Sequence, residues 1–318
     1  MNTMTGANLT SVTEFLLLGL SSDPQIQTSL FIVFLIIYIT TLAGNVLIII
    51  IVRVDSHLRT PMYFFLTNLS FLEICYSSAI VPKAMVHFLA ERKTISFSEC
   101  AAQMYIALSL GETECILLGV MAYDRYVAIC HPLHYTVIMS KRMCFMMAGA
   151  SWTGGFLMSL VDTAFTLRLP YCGPNKMNHF VCEVPVILRL ACMDTQTTEL
   201  IIFLVAVVVL LIPFFLILVS YLHIISTVLK IRSAEGRHKA FSTCASHIIV
   251  VTLFYGTIIF MYMRPKSSHS EEQDKIITVF YTVVTPMLNP MIYSLKNKEV
   301  KGAFRKAIGR NKCKFQVT

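Results

Sequence analysis

The sequence predicts an all-α membrane protein: a bundle of seven transmembrane helices followed by a short amphipathic C-terminal helix. Three observations predict it. Seven stretches are apolar over about the 20 residues that a helix needs to cross a bilayer. Only 14% of the 318 residues are charged and 56% are hydrophobic, whereas a soluble domain carries about 25% charged residues. The lysines and arginines collect on one side of the apolar runs, as they do at the cytoplasmic face of membrane proteins. In water, seven such runs would expose far too much apolar surface. They are also too long and unbroken for barrel strands.

The spans follow in order. The first is placed at about 26–52, where Leu30 to Val52 has no formal charge. The second, about 59–85, has Glu73 as its single charge between Pro61 and Pro82. The third, about 97–130, holds Glu112 and Glu114 between Cys100 and Tyr123. The fourth, about 141–165, holds Asp162. The fifth, about 197–230, is uncharged from Leu200 to Leu229. The sixth, about 237–263, has no formal charge from Ala240 to Met263 when His247 is neutral. The seventh, about 272–295, is uncharged from Ile276 to Leu295. These make one domain over residues 1–318, with an outer segment 1–25 and an inner tail 296–318. In the tail, Val300, Phe304 and Ile308 recur at helical spacing among basic residues, which reads as a helix lying on the inner leaflet.

No Lys or Arg precedes Leu30, and the run Phe15 to Leu20 is short for the apolar core of a signal peptide. The first span is therefore expected to act as its own insertion signal. With the N-terminus outside, the inner loops and tail hold 16 of the 26 Lys and Arg residues, from Arg53 and Arg59 to the run Lys296–Lys314. The outer segments hold nine of them together with ten acids. The net charge of +8 thus reports topology and attraction to anionic lipid, not a nucleic-acid partner. Asn8-Leu9-Thr10 is a glycosylation sequon in the outer segment. Asn68-Leu69-Ser70 also fits the pattern but lies inside the second span.

The one long connection, about Phe165 to Thr198, is large enough to form a lid. Cys172, Cys182 and Cys192 lie in it and Cys100 lies at the outer end of the third span, where all four can oxidise. Four cysteines allow three pairings, and spacing does not choose among them.

Charged residues within spans are costly and point to function. Asp124-Arg125-Tyr126 ends the third span on the inner side. The acid can hold its neighbouring arginine in one state, and release of the arginine toward a cytoplasmic partner makes a switch. The plainer reading is a pair that anchors the helix end.

The surrounding residues carry a resemblance. Met121-Ala122-Tyr123-Asp124-Arg125-Tyr126-Val127-Ala128-Ile129-Cys130-His131-Pro132-Leu133 resembles the third-helix signature of olfactory receptors of the tetrapod (class II) type, rhodopsin-like G-protein-coupled receptors. So do Pro61-Met62-Tyr63-Phe64-Phe65-Leu66, Lys239-Ala240-Phe241-Ser242-Thr243-Cys244-Ala245-Ser246-His247 and Asn289-Pro290-Met291-Ile292-Tyr293-Ser294-Leu295. Glu73 stands where that family more often has Asp, and Lys296 where Arg is common.

The resemblance implies a multi-pass plasma-membrane receptor for a small odorant, coupled to a stimulatory G protein of the olfactory type that raises cAMP. It implies that Arg125 contacts the G protein and that Tyr221, His247 and Tyr293 rearrange with it. Pro213 and Pro290 would be bend points, because proline removes a helix hydrogen bond. It pairs Cys100 with Cys182, which leaves Cys172 with Cys192. It also makes Glu73 and Glu114 a candidate sodium site. Two close buried carboxylates do not both stay charged without a cation, so the alternatives are an ion or a proton.

Met104, Leu108, Gly111, Glu112 and Cys115 form one helical stripe on the third span. The family pattern turns that stripe toward the bundle centre as the ligand wall. It would set Val205, Ala206 and Val209 opposite, with Tyr255, Ile258, Ile259 and Tyr262 from the sixth span and Val279 and Thr282 from the seventh. Ala107 lies where amine receptors keep an acid. Glu112, if ionised, could hold a cationic group; protonated, it could donate to a carbonyl or alcohol. A largely apolar wall with a few polar groups suits a small volatile.

Rival classes fit less well. A transporter would show repeated halves and paired broken helices. A light receptor would need a lysine in the last span. An intramembrane enzyme would need a nucleophile-and-base or metal constellation. His179, Cys182 and Glu183 could be read as a copper trio, though such a cysteine more often forms a disulfide. No enzymatic activity and no cofactor beyond a structural sodium ion are expected.

Overall fold

A computed structural model describes residues 12–172, 175–262, 271–296 and 300–303. Seven helices are long and apolar enough to cross a membrane. We label them α1 (Pro24–Val54), α2 (Pro61–Leu89), α3 (Phe97–Cys130), α4 (Lys141–Leu167), α5 (Gln196–Leu229), α6 (Ala234–Tyr262) and α7 (Glu271–Ser294).

Local chemistry sets their starts. Asp23 caps α1 by accepting from the Gln25 amide at 2.8 Å, and Pro24 opens the helix, where its missing N–H costs nothing. Pro61 opens α2 in the same way. At α3, Ser96 accepts from the Glu99 amide while the Glu99 carboxylate accepts from the Ser96 amide, a reciprocal capping box. Ser140 caps α4. Two helices are interrupted by single π turns, Val207–Leu211 just before Pro213 in α5 and Phe280–Val284 before Pro286 and Pro290 in α7.

The helix α3 is central and packs on α2, α4, α5 and α6. Its length runs through the core, with Leu110, Cys115, Leu117, Leu118 and Met121 all buried. The outer helices instead present apolar side chains outward: Ile32, Ile36 and Ile39 on α1, and Phe203, Ile212, Phe215 and Leu222 on α5. With every backbone group bonded inside its helix, such faces suit lipid.

Small residues let α3 and α4 approach closely. Ser109 and Ser159 hydroxyls meet at 2.6 Å across the contact. A Cβ added at Gly155 would lie 2.7 Å from the Thr113 amide nitrogen and 2.8 Å from the Ser109 carbonyl oxygen. Both are backbone atoms of a helix and cannot yield cheaply. Gly155→Ala is therefore expected to cost about 1–3 kcal/mol of stability. The check is the thermal stability of detergent-extracted protein together with its surface abundance; wild-type values for both would contradict this packing.

A three-stranded sheet in the order β2-β1-β3 crosses the outer face. It comprises β1 (Glu14–Leu17), β2 (Thr94–Ser96) and β3 (Lys176–Met177). β1 runs antiparallel to β2 and parallel to β3. Period-two burial is its signature: Phe15 and Leu17 are 1% exposed, while Glu14 and Leu16 are less buried. Those two side chains pack with Ile95 and Met177 against the disulfide cysteines Cys100 and Cys182. The first half of the run Phe15 to Leu20 is thus part of a strand that ties the N-terminal segment to the lid.

The bridges are Cys100–Cys182, with Cα atoms 5.5 Å apart, and Cys172–Cys192, at 5.8 Å. In the tail, residues 300–303 are helical, with Val300 and Ala303 buried. Phe304 and Ile308, the rest of the expected amphipathic face, lie outside the described residues, as does Asn8.

Candidate functional site

The lid loop and the outer halves of α2 to α7 enclose a cavity of about 170 Å³. That is below the roughly 300–1,000 Å³ of sites for drug-sized ligands. From α3 it takes Met104, Ala107, Leu108, Gly111, Glu112, Glu114 and Cys115. From α5 it takes Ile202, Ala206, Val209 and Leu210, and from α6 Phe254 and Ile258. Tyr76, Asp162 and Tyr281 complete the walls, and Cys182, Glu183, Val184 and Pro185 close the top. The lid is held in place by polar contacts. The Cys182 amide donates to Gln103 Oε1 at 3.1 Å, and Tyr281 and Thr278 donate their hydroxyls to the Glu183 carboxylate.

The α3 stripe Met104, Leu108, Gly111, Glu112 and Cys115 is brought together on this cavity, with Ala206, Val209 and Ile258. The other expected wall residues fall elsewhere. Val205 is buried in the core and does not line the cavity, whereas Ile202 and Leu210, outside the expected set, do. Tyr255 packs against Phe214 and donates its hydroxyl to the Cys115 carbonyl at 3.3 Å, while its neighbour Phe254 faces the cavity. Ile259 is 36% exposed on the outer side of α6. Thr252, Gly256 and Thr257 are spread around the outer half of that helix, so spacing alone does not fix its phase. In α7, Thr282 is buried with its hydroxyl on the Thr278 carbonyl and Val279 packs against the core, while Tyr281 reaches the cavity. The π turn there carries an extra residue and rotates the following side chains out of the register of a regular helix. The side chain of Tyr262 lies outside the described residues.

Asp162 and Glu183 are the polar wall residues that helical spacing misses. The signal for Asp162 is its being the sole acid of the fourth span. The copper trio does not form. Cys182 is in a disulfide and Glu183 is taken by Tyr281 and Thr278. No group of three or more His, Cys, Asp and Glu that could hold a metal occurs among the described residues.

Midway down lies a polar cluster. Glu73 is 1% exposed and accepts from Asn289 Nδ2. Asn45 donates to the carbonyls of Thr41 (3.1 Å) and Pro286 (3.5 Å). The Oδ1 atoms of Asn45 and Asn289 have no protein partner. Glu114, 5% exposed, is the nearest acid acting on Glu73.

At the inner end, Asp124 and Arg125 are both buried. The Asp124 carboxylate accepts from the Tyr135 hydroxyl at 2.8 Å and makes no ion pair with Arg125 at contact distance. The loop, not the neighbouring arginine, therefore occupies the acid. Burial, and then the Asp124 carboxylate, push the Tyr135 phenol above its ordinary pKa, so it stays a donor. Arg125 acts electrostatically on Tyr221, His247 and Tyr293. His247 Nε2 is 3.2 Å from the Leu118 carbonyl and Nδ1 is 2.8 Å from the Tyr221 hydroxyl. A carbonyl only accepts, so the ring donates from Nε2 and accepts from Tyr221 at Nδ1. Tyr126 turns away, its hydroxyl 3.0 Å from His131 Nε2. The Tyr293 hydroxyl and Arg125 Nε have no protein partner.

A ligand-sized outer cavity, a disulfide-tied lid and a buried inner arginine on seven helices define a rhodopsin-like receptor. The fold agrees with the crystal structure of squid rhodopsin, with a TM-score of 0.68 at 18% identity, covering 91% of this chain and 87% of that one. The chain belongs to the olfactory receptor family, whose model, described as "Olfactory receptor", matches residues 34–311. It is 57% identical to human (Homo sapiens) olfactory receptor 2D2 over 304 residues, 96% of this chain and 98% of that protein. It is 52% identical to mouse (Mus musculus) olfactory receptor 8U3, covering 96% of each. It is also 54% identical to the dog (Canis lupus familiaris) olfactory receptor-like protein OLF3, over 95% of this chain and 96% of that one. It is thus a multi-pass plasma-membrane receptor and not an enzyme.

Proposed function

We propose that this receptor binds a small, mostly apolar volatile odorant in the outer cavity and activates a stimulatory G protein of the olfactory type, raising cAMP. The observation that carries the reading is the continuity from cavity to inner end. Cys115 lines the cavity and its carbonyl takes the Tyr255 hydroxyl. One turn further down α3, the Leu118 carbonyl takes His247, which is bonded to Tyr221 beside Arg125. A ligand that shifts α6 against α3 changes both bonds at once. The test is an odorant-panel screen with a cAMP readout in cells carrying the receptor at their surface. A dose-dependent rise is expected; silence across a broad panel would overturn the reading.

The same reading assigns a sodium ion to the mid-span cluster. Glu73, Asn45 and Asn289 offer the oxygen donors that a hard cation takes, and two of those oxygens lack protein partners. A bound ion would offset the buried negative charge of Glu73 and Glu114. Glu73→Gln is expected to remove the dependence of basal cAMP on external sodium. A basal level and sodium response equal to wild type would rule the ion out.

A further inference from the structure

The outer cavity contains an acidic pair that no cation neutralises among the described residues. Asp162 of α4 is 5% exposed and lines the cavity together with Glu112 of α3, their carboxyl groups close enough to share a hydrogen bond. Ionised carboxylates only accept, so this bond needs a proton held between the two groups. Glu112 Oε2 and Asp162 Oδ1 are both buried and receive no protein donor among the described residues. Buried acceptors without partners are costly.

The described surroundings supply no cation. None of the residues lining the cavity is Lys, Arg or His. Nearby cations are engaged elsewhere: Lys275 of α7 with Glu272 at 2.8 Å, and Arg189 of the lid with Glu271 and Asp274 at 3.4 and 3.5 Å, while Arg168 of the lid lies over the Phe165 ring. The other acids on the walls are accounted for. Glu183 takes the Tyr281 and Thr278 hydroxyls, and Glu114, also on the lining, acts electrostatically on Glu73. The remaining surface is hydrocarbon, including Leu108, Val209 and Ile258.

We propose that the cavity selects a small volatile bearing one basic nitrogen, a primary or secondary amine whose ammonium group binds between Glu112 and Asp162. This rests on the odorant-cavity reading above. Alkylamines titrate near pH 10, as lysine does, and arrive charged at neutral pH. An ammonium group presents several N–H donors, which suits two unpaired acceptors of neighbouring carboxyl groups. Its hydrocarbon part lies against Leu108, Val209 and Ile258. The acid on α3 is Glu112, more than a turn deeper than Ala107, so the ligand sits low in the bundle.

The test uses the full receptor in cells, with surface protein quantified through an N-terminal tag. Matched short-chain linear, branched and cyclic amines, alcohols and carboxylic acids are the probes. At least one amine is expected to be about tenfold or more as potent as its alcohol counterpart, the scale of a hydrogen bond to a charged group, and the acids to be inactive. Asp162→Asn and Glu112→Gln preserve shape and are each expected to remove that preference at unchanged surface level. Activation by alcohols alone, equal potency of amines and alcohols, wild-type amine potency in both variants, or silence to every amine would each overturn the proposal. Activation by alcohols alone leaves the odorant cavity standing. Amine potency that survives filling the cavity at Gly111 removes the cavity reading itself.

Discussion

Replacing Arg125 with alanine is expected to abolish agonist-stimulated cAMP while leaving the receptor at the cell surface. The guanidinium is 5% exposed at the inner end of α3, its Nε is unpaired, and no carboxylate lies within ion-pair distance among the described residues. Removing one member of a tight buried ion pair strands the other and destabilises the fold. Here the neighbouring Asp124 is hydrogen-bonded by Tyr135, so alanine takes a nearby charge from that carboxylate but leaves its hydroxyl donor in place. What it removes is the cation that acts on Tyr221, His247 and Tyr293 from three helices. Arg125→Lys keeps the charge but loses the planar fork of donors, and an intermediate response is expected. Surface staining and a cAMP dose–response read the two effects separately. Full signalling by Arg125→Ala would show that the switch lies elsewhere.

The seven spans were legible because lipid leaves a helix few alternatives and demands about 20 apolar residues each time. The outer sheet was not. Its strands are two to four residues long and come from three separate connections, so no local pattern announces their pairing. On α3 the cavity stripe could be read because Gly111 and Glu112 break an otherwise apolar surface. On α6 the family pattern placed Tyr255, Ile258 and Ile259 on the wall, and Ile258 lines it with Phe254 in place of the other two. On α7 the π turn shifts the register and substitutes Tyr281 for Val279 and Thr282. Asp162 was visible as a lone acid in its span. Its role was not, because only the close α3–α4 packing at Gly155 and Ser159 brings it to Glu112.

The second large effect is expected at Gly111. A Cβ placed there meets nothing within 4 Å, because the position faces the open cavity. A side chain at this point therefore enters space that a ligand would use without displacing a helix. Glycine inside a helix is also disfavoured by up to about 1 kcal/mol relative to alanine, so a larger residue does not weaken α3 by propensity. Gly111→Phe should fill much of the 170 Å³ and leave the inner switch untouched.

The most direct measurement is the cAMP dose–response of Gly111→Phe beside wild type, with an agonist found by panel screening and equal surface levels. A loss of agonist potency of about 100-fold or more, equivalent to about 2.8 kcal/mol of binding, with basal cAMP unchanged, is the result predicted for an odorant bound against α3 in the outer cavity. Unaltered potency would contradict it and place the odorant elsewhere on the receptor.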